Sequence, residues 1–182
     1  MEFYWVGTEA RIAGTLVHRW LQRIAEERTA ERDTDTVFIA ESALREVTTR
    51  WLSEAGMNGK AASPILERVS AAITAMLDDE KGRWILQGEG YSELALTGVN
   101  DGELVSVVLD RVRVDENGVH WIIDYKTSSH EGGNLQGFLV VEADRYQPQL
   151  ARYASIYREW AGEDVKCALY FPLLRSFIEV RV

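Results

Sequence analysis

Apolar positions recur at two different periods along the chain, and the place where the period changes divides it. Ala13, Leu16, Val17, Trp20 and Ile24 return at the three-and-four spacing of one helical face, with Leu21 widening the stripe. Thr8 can cap that helix, which would then open at Glu9. Residues 38–52 and 61–77 predict two further helices. In the second, Ile65, Val69, Ile73 and Leu77 keep step, and Pro64 sits in the first turn, where a missing N–H costs nothing. At QGEGYSELALTG, residues 87–98, the period shortens and short strands are expected. Residues 104–114 and 119–125 predict a hairpin, 143–160 a helix, and 165–171 and 176–182 two more strands. The stretch TSSHEGGNLQG, residues 127–137, reads as a flexible loop. With no repeat, low-complexity segment or linker to divide it, the pattern predicts one α/β domain over residues 1–182. Residues 1–87 are mainly helical, and 88–182 form a central mixed β-sheet flanked by helices.

The second hairpin strand raises a chemical question. The apolar run Val119-His120-Trp121-Ile122-Ile123 leads directly into Asp124-Tyr125-Lys126, although burying ionised groups is costly unless they are paired or bind a metal. A two-residue turn at Asn117-Gly118 would send Asp110 and Asp124 to opposite faces. Asp115-Glu116-Asn117-Gly118 also suits a type I turn with Gly118 left-handed and a bulge. That turn sets Asp115 against Val119 and Asp110 against Asp124, with Lys126 one step further along the same face. This second register is the expected one, because it gathers all three charges.

Two carboxylates at opposed sheet positions repel each other. A divalent cation relieves the repulsion, and oxygen ligands suit Mg2+ or Mn2+. Lys126 beside them can neutralise an anionic substrate or orient water, and such a cluster suits phosphodiester hydrolysis. Asp-x-Lys by itself arises by chance about once in ~300 residues, so a surface ion pair at a strand end is the plain alternative. The facing Asp110 is what gives the motif weight.

The motifs GTLVHRWL, SEL, VVLDRV, IIDYKTS and YQPQLARY follow one another between about Gly14 and Phe171. In that order they resemble the PD-(D/E)xK nuclease superfamily, most closely the nuclease domain that ends RecB and AddA, helicase–nuclease subunits of bacterial recombination machines. DYKTS followed by a Gln-x-x-x-Tyr helix carries most of the likeness. The resemblance implies a restriction-endonuclease-like core with Asp110 and Asp124 as metal ligands and Lys126 as the catalytic lysine. It further implies His18 as a ligand from the first helix, the Tyr125 backbone carbonyl completing the coordination, and Glu93 as an outer metal or water ligand. Gln149 and Tyr153, one turn apart, would orient the lysine or contact the nucleic acid. Gly14, one turn before His18, would let that helix approach the sheet. Each has a structural alternative: His18 as a buried histidine bonded to a carbonyl, Glu93 as an exposed strand acid, and Tyr153 with Tyr146, Leu150 and Tyr157 as an inward stripe. Relatives commonly carry Gly shortly before the first aspartate, where this chain has Val107-Val108-Leu109.

The activity so implied is that of a Mg2+- or Mn2+-dependent deoxyribonuclease, an exonuclease rather than an endonuclease, cutting single-stranded DNA ends fed by a helicase motor in recombination and repair. The alternative is a catalytically inactive nuclease-like docking or DNA-binding module of a helicase complex; an unrelated interaction domain is a third reading. No GxxxxGK[ST] pattern occurs, so the chain is not the motor itself. A net charge of −9 argues against an autonomous grip on DNA and favours dependence on a partner. The acids concentrate in the first 90 residues, whereas Arg145, Arg152, Arg158, Lys166, Arg175 and Arg181 scatter through the last third. A lone Cys167 excludes an internal disulfide and the four-cysteine iron–sulfur cluster of some relatives. No apolar run approaches the ~18 residues of a membrane span and no secretory leader is evident, so a cytoplasmic setting without membrane is expected.

Overall fold

Alternation along one central strand sets the layering. In a computed structural model that describes residues 2–30, 39–100, 102–130 and 132–182, Trp121, Ile123 and Tyr125 pack against one helical layer, and Ile122 packs against another. The elements in order are α1 (Glu2–Ala30), α2 (Glu41–Glu54), α3 (Ser63–Asp78), α4 (Glu80–Leu86), β1 (Gly90–Asn100), β2 (Glu103–Val114), β3 (His120–Tyr125), α5 (Leu135–Ala161), β4 (Val165–Phe171) and β5 (Ser176–Val180), with short 3-10 turns at Gly59–Ala61 and Pro172–Leu174. The strands form one mixed five-stranded sheet in the order β1-β2-β3-β4-β5. Only β3 and β4 run parallel. A parallel joint needs a long crossover, and α5 supplies it.

The first core joins α1 to α4 with one sheet face. Leu16, Val17, Trp20, Leu21 and Ile24 of α1 meet Ile65, Val69, Ile73 and Met76 of α3 there. Trp20 also donates its indole N–H to the buried Thr48 hydroxyl of α2 at 2.9 Å, so the one polar atom the stripe buries is satisfied. The second core sets Leu139, Leu150, Ala154, Ile156 and Tyr157 of α5 against Leu109, Val112, Cys167, Leu169 and Phe171. Among the described residues, no helix is long and apolar enough to cross a membrane.

Several boundaries differ from expectation for identifiable reasons. The first helix begins at Glu2, so Thr8 lies inside it and does not cap it. A capping preference of about 1 kcal/mol does not stop a helix when the preceding residues can extend its hydrogen bonds. The helix expected from residue 38 starts at Glu41, and Phe38 falls outside the described residues. Helix α4 gave no periodic signal because seven residues are too few; its start is marked by Asp79, whose carboxylate accepts from the Gly82 N–H at 2.9 Å. Helix α5 begins at Leu135, eight residues before the expected start, because Asn134 caps it by accepting from the Gly137 N–H. The loop after β3 is shorter in consequence. The last strand ends at Val180.

Gly90, where β1 begins, has φ +144, and a Cβ there would lie 1.9 Å from the Val112 carbonyl oxygen. No side chain can be accommodated without moving the backbone. The Gly90→Ala variant should therefore lose about 1–3 kcal/mol of stability, read as a lower midpoint in urea unfolding. An unchanged midpoint would mean that the β1–β2 pairing yields there at no cost.

Candidate active site

The hairpin between β2 and β3 takes the register of the longer turn. The Asp115 N–H donates to Val119 O and the Gly118 N–H to Asp115 O, both at 2.9 Å, and Gly118 has φ +77. Pairing runs from Val114–His120 to Arg111–Ile123. Past Arg111 the two strands part, and the Tyr125 N–H would be left without a ladder partner. The Asp110 carboxylate takes that place, accepting from Tyr125 N at 2.8 Å. The next amide, Lys126 N–H, bonds Tyr170 O on β4 at 2.9 Å, so Tyr125 faces β2 with both its N–H and its C=O.

Simple alternation does not describe Asp110. Leu109 packs toward α5, whereas Arg111 reaches the opposite layer and donates to Ile85 O at 3.0 Å. Ser92 and Leu94 on β1 show the same change of face, and between them Glu93 has φ +50. The β1–β2 ladder keeps one register but skips the Glu93–Asp110 pair. A left-handed conformation is uncommon outside glycine and stores roughly 1 kcal/mol or more. The paired irregularity turns both acids out of the regular pleat, so the expectation that Asp110 simply shares a face with Asp124 is corrected. Asp110 lies in the gap between the strands.

His18 meets these acids from α1. Its Nδ1 is 3.3 Å from Asp110 Oδ1 and 3.9 Å from Glu93 Oε1. One ligand atom from each of His18, Glu93 and Asp110 lies within 4.8 Å of the others. The Tyr125 ring supports the imidazole edge-on at 5.8 Å. Gly14, one turn earlier, is close not to the sheet but to the loop after β3: a Cβ there would stand 3.3 Å from Thr127 Oγ1. A cleft of about 370 Å³ opens beside the cluster, lined by Gly14, Thr15, His18, Arg19, Gln22 and Glu93.

Asp124 approaches from the sheet interior, only 5% exposed. Its Oδ1 accepts from Gln149 Nε2 at 3.1 Å, and the same amide donates to the Tyr153 hydroxyl at 2.7 Å. Lys126 Nζ lies 2.7 Å from Asp124 Oδ2 and 3.5 Å from the centre of the Tyr146 ring. Oδ2 is buried, and among the described residues the Lys126 ammonium is the partner it meets. Gln149 and Tyr153 thus face inward together, and Tyr146 joins the site as a cushion under Lys126.

The charges follow from burial and crowding. Burial and the neighbouring Asp110 charge push Asp124 up to about 6, against the pull of Lys126 and His18. Glu93 is raised by burial and by Asp110. For His18, burial works downward, but the bond to Asp110 and the charges of Asp110, Asp124 and Glu93 prevail and raise it. Three acids crowd one imidazole, and the buried Asp124 Oδ2 faces the Lys126 ammonium. This imidazole and carboxylate donor set fits a hard divalent cation, which would relieve the repulsion.

Three neighbours of the site are singled out by no motif in the sequence. Arg68 of α3 donates to Thr127 O at 2.7 Å and pins the chain just beyond Lys126; nothing local at position 68 signals this, because the contact spans the two halves. Thr15 and Gln22 line the cleft with His18 and were legible, since three and four residues on a helix share a face.

A family model, described as the PD-(D/E)XK nuclease superfamily, matches residues 6–178. Seven solved chains are similar. One is the crystal structure of a candidate exonuclease from Eubacterium rectale, with a TM-score of 0.52 and 16% sequence identity over 95% of this chain. The match covers 59% of that protein, so this chain spans about three-fifths of its length. At such identity the likeness is one of fold. No curated protein matches.

An aspartate raised in the folded state holds its proton more tightly there than when unfolded. The cost of ionising Asp124 is therefore absent below its unfolded value near 3.8 and complete above about 6. Asp124→Asn should thus stabilise the metal-free protein at pH 8, by up to about 3 kcal/mol, and have little effect at pH 4. Thermal melts in a chelator at the two pH values check this, and equal effects at both would refute it.

Proposed function

The chain belongs to the PD-(D/E)XK nuclease superfamily, and from that premise we propose that it is a metal-dependent deoxyribonuclease. The observation that carries this is the convergence of His18, Glu93 and Asp110, far apart in sequence, to within 4.8 Å, beside the buried Asp124–Lys126 pair. Superfamily members generally use divalent metals. In this reading His18 Nδ1, Asp110, Asp124 and the Tyr125 carbonyl hold Mg2+ or Mn2+, with Glu93 as an outer ligand to the ion or to water. When bound, such an ion supplies acidity to water and offsets charge at the scissile phosphate.

The chain's own groups then divide the remaining work. Asp110 accepts from the Tyr125 N–H, which orients its other oxygen toward His18. Gln149 holds the Asp124 carboxylate through one oxygen and leaves the other toward Lys126. Lys126 is steadied between that carboxylate and the Tyr146 ring, where its ammonium can orient the attacking water or balance the phosphate's negative charge. Tyr153 shares the Gln149 amide, and in this proposal its ring contacts the DNA strand. In this proposal water attacks phosphorus, the P–O3′ bond breaks, and the products are a 3′-hydroxyl and a 5′-phosphate.

The preferred substrate in this proposal is a single-stranded DNA end, cut exonucleolytically. A net charge of −9 supports dependence on a partner that grips the DNA. The proposed partner is a helicase motor in a RecB- or AddA-like recombination and repair system of the cytoplasm.

End-labelled single-stranded and duplex DNA, incubated with Mg2+, Mn2+ or a chelator, tests the reading. Cleavage should require metal and favour single-stranded ends. Lys126→Ala should lower turnover at least about 100-fold while Mn2+ still binds, measured by calorimetry. His18→Ala should weaken Mn2+ binding about tenfold or more with the fold intact. Absence of both cleavage and metal binding would leave a docking or DNA-binding role instead.

A further inference from the structure

At the other end of β3 from Asp124, about 13 Å along the strand, a second cleft of about 470 Å³ lies between the start of β1 and the end of α5. Tyr91, His120, Tyr157 and Trp160 line it together with Glu89 and Glu163. None of these residues belongs to the candidate active site.

The rings form fixed walls set at angles to one another. Tyr91 and Trp160 meet at 5.6 Å and 79°, and Tyr157 and Trp160 at 5.7 Å and 52°. Tyr157 is buried and its hydroxyl is hydrogen-bonded to His120 Nδ1 at 2.8 Å, so the inner wall cannot rotate freely. Tyr91 and Trp160, by contrast, are 47% and 51% exposed. Two large aromatic rings held half in water, around a cavity, are a surface suited to a ligand.

Three sources of negative potential converge on the same cavity. Glu89 and Glu163 enter no ion pair among the described residues. Glu89 is tied to the rim by its carbonyl, which accepts from the Val114 N–H at 2.9 Å, and Glu163 directly follows Gly162, the left-handed cap of α5. Glu163 is close enough to add to the burial that raises the Tyr157 hydroxyl's pKa. The third source is the carbonyl end of the 27-residue helix α5, at Trp160 and Ala161. Arg158, the basic residue of that last turn, is turned away toward Asp164 at 2.9 Å and Val165 O at 3.3 Å.

Aromatic faces with carboxylates at the rim attract cations, and the same carboxylates repel a phosphate backbone. A planar guanidinium lays its whole face on a ring while its edge pairs with a carboxylate through two N–H groups, whereas an ammonium meets both only as a compact, strongly hydrated point charge. We propose that this cleft receives an arginine side chain presented by a partner chain, with Tyr91 and Trp160 as its stacking walls and Glu89 and Glu163 as its counter-charges.

The test is a titration of the nitrogen-15-labelled protein with the capped peptide Gly-Arg-Gly, with Gly-Lys-Gly, Gly-Gly-Gly and a short oligothymidylate as comparisons. The Trp160 indole and Glu163 amide resonances should shift saturably with the arginine peptide at about millimolar concentration, less with the lysine peptide, and not with Gly-Gly-Gly. Glu163→Gln and Trp160→Ala should each weaken that binding about three- to fivefold, with the rest of the spectrum unchanged. No saturable shift, or equal binding by Glu163→Gln and the parent, would overturn the proposal. So would saturation of the same resonances by oligothymidylate, which would mark a base-stacking surface.

Discussion

One hydrogen bond organises the molecule's chemistry: the Asp110 carboxylate accepting from the Tyr125 backbone N–H where β2 and β3 part. A buried amide left unpaired costs about 1–3 kcal/mol, so separating two strands inside a sheet requires a substitute partner. Here the substitute is a charged side chain. Its second oxygen is thereby directed at His18, so the device that closes the backbone's hydrogen-bond account also places an anion in the gap. The left-handed Glu93 and the change of face on both β1 and β2 belong to the same opening.

The opening is electrostatically strained, and that strain points to its use. Burial and like charge raise both Asp124 and Glu93, while His18 is raised by the acids around it. A fold selected only for stability would place apolar residues here, as it does one and two positions earlier at Ile123 and Ile122. Instead Gln149, Tyr153 and Tyr146 from α5 are spent on fixing Asp124 and Lys126. The two layers therefore contribute different parts: α1 brings the imidazole, and α5 brings the groups that hold the acid and the lysine. Neither layer alone forms the site.

The opposite end of β3 shows a different balance. There the acids stand at the rim of an aromatic cleft rather than inside the sheet, so water already screens them and no buried repulsion has to be relieved. The two ends of one short strand thus present two kinds of negative site, one suited to a small hard ion and the other to a broad, weakly hydrated cation.

Much of this was legible in the order of residues. Helical spacing located the α1 and α3 stripes, and the turn chemistry of Asp115 and Gly118 selected the register that the hairpin adopts. Motif order brought out His18, Glu93, Asp110, Asp124, Lys126, Gln149 and Tyr153 as one set. These signals are local, or follow a repeating geometry, so the chain alone determines them. The direction of the Asp110 side chain, the turn at Glu93, the seat of Lys126 on Tyr146 and the hold of Arg68 on Thr127 were decided only in the folded molecule. Each depends on where strands separate and which distant element fills the space, and that balance between backbone pairing and packing is struck across the whole sheet rather than along any one stretch of chain.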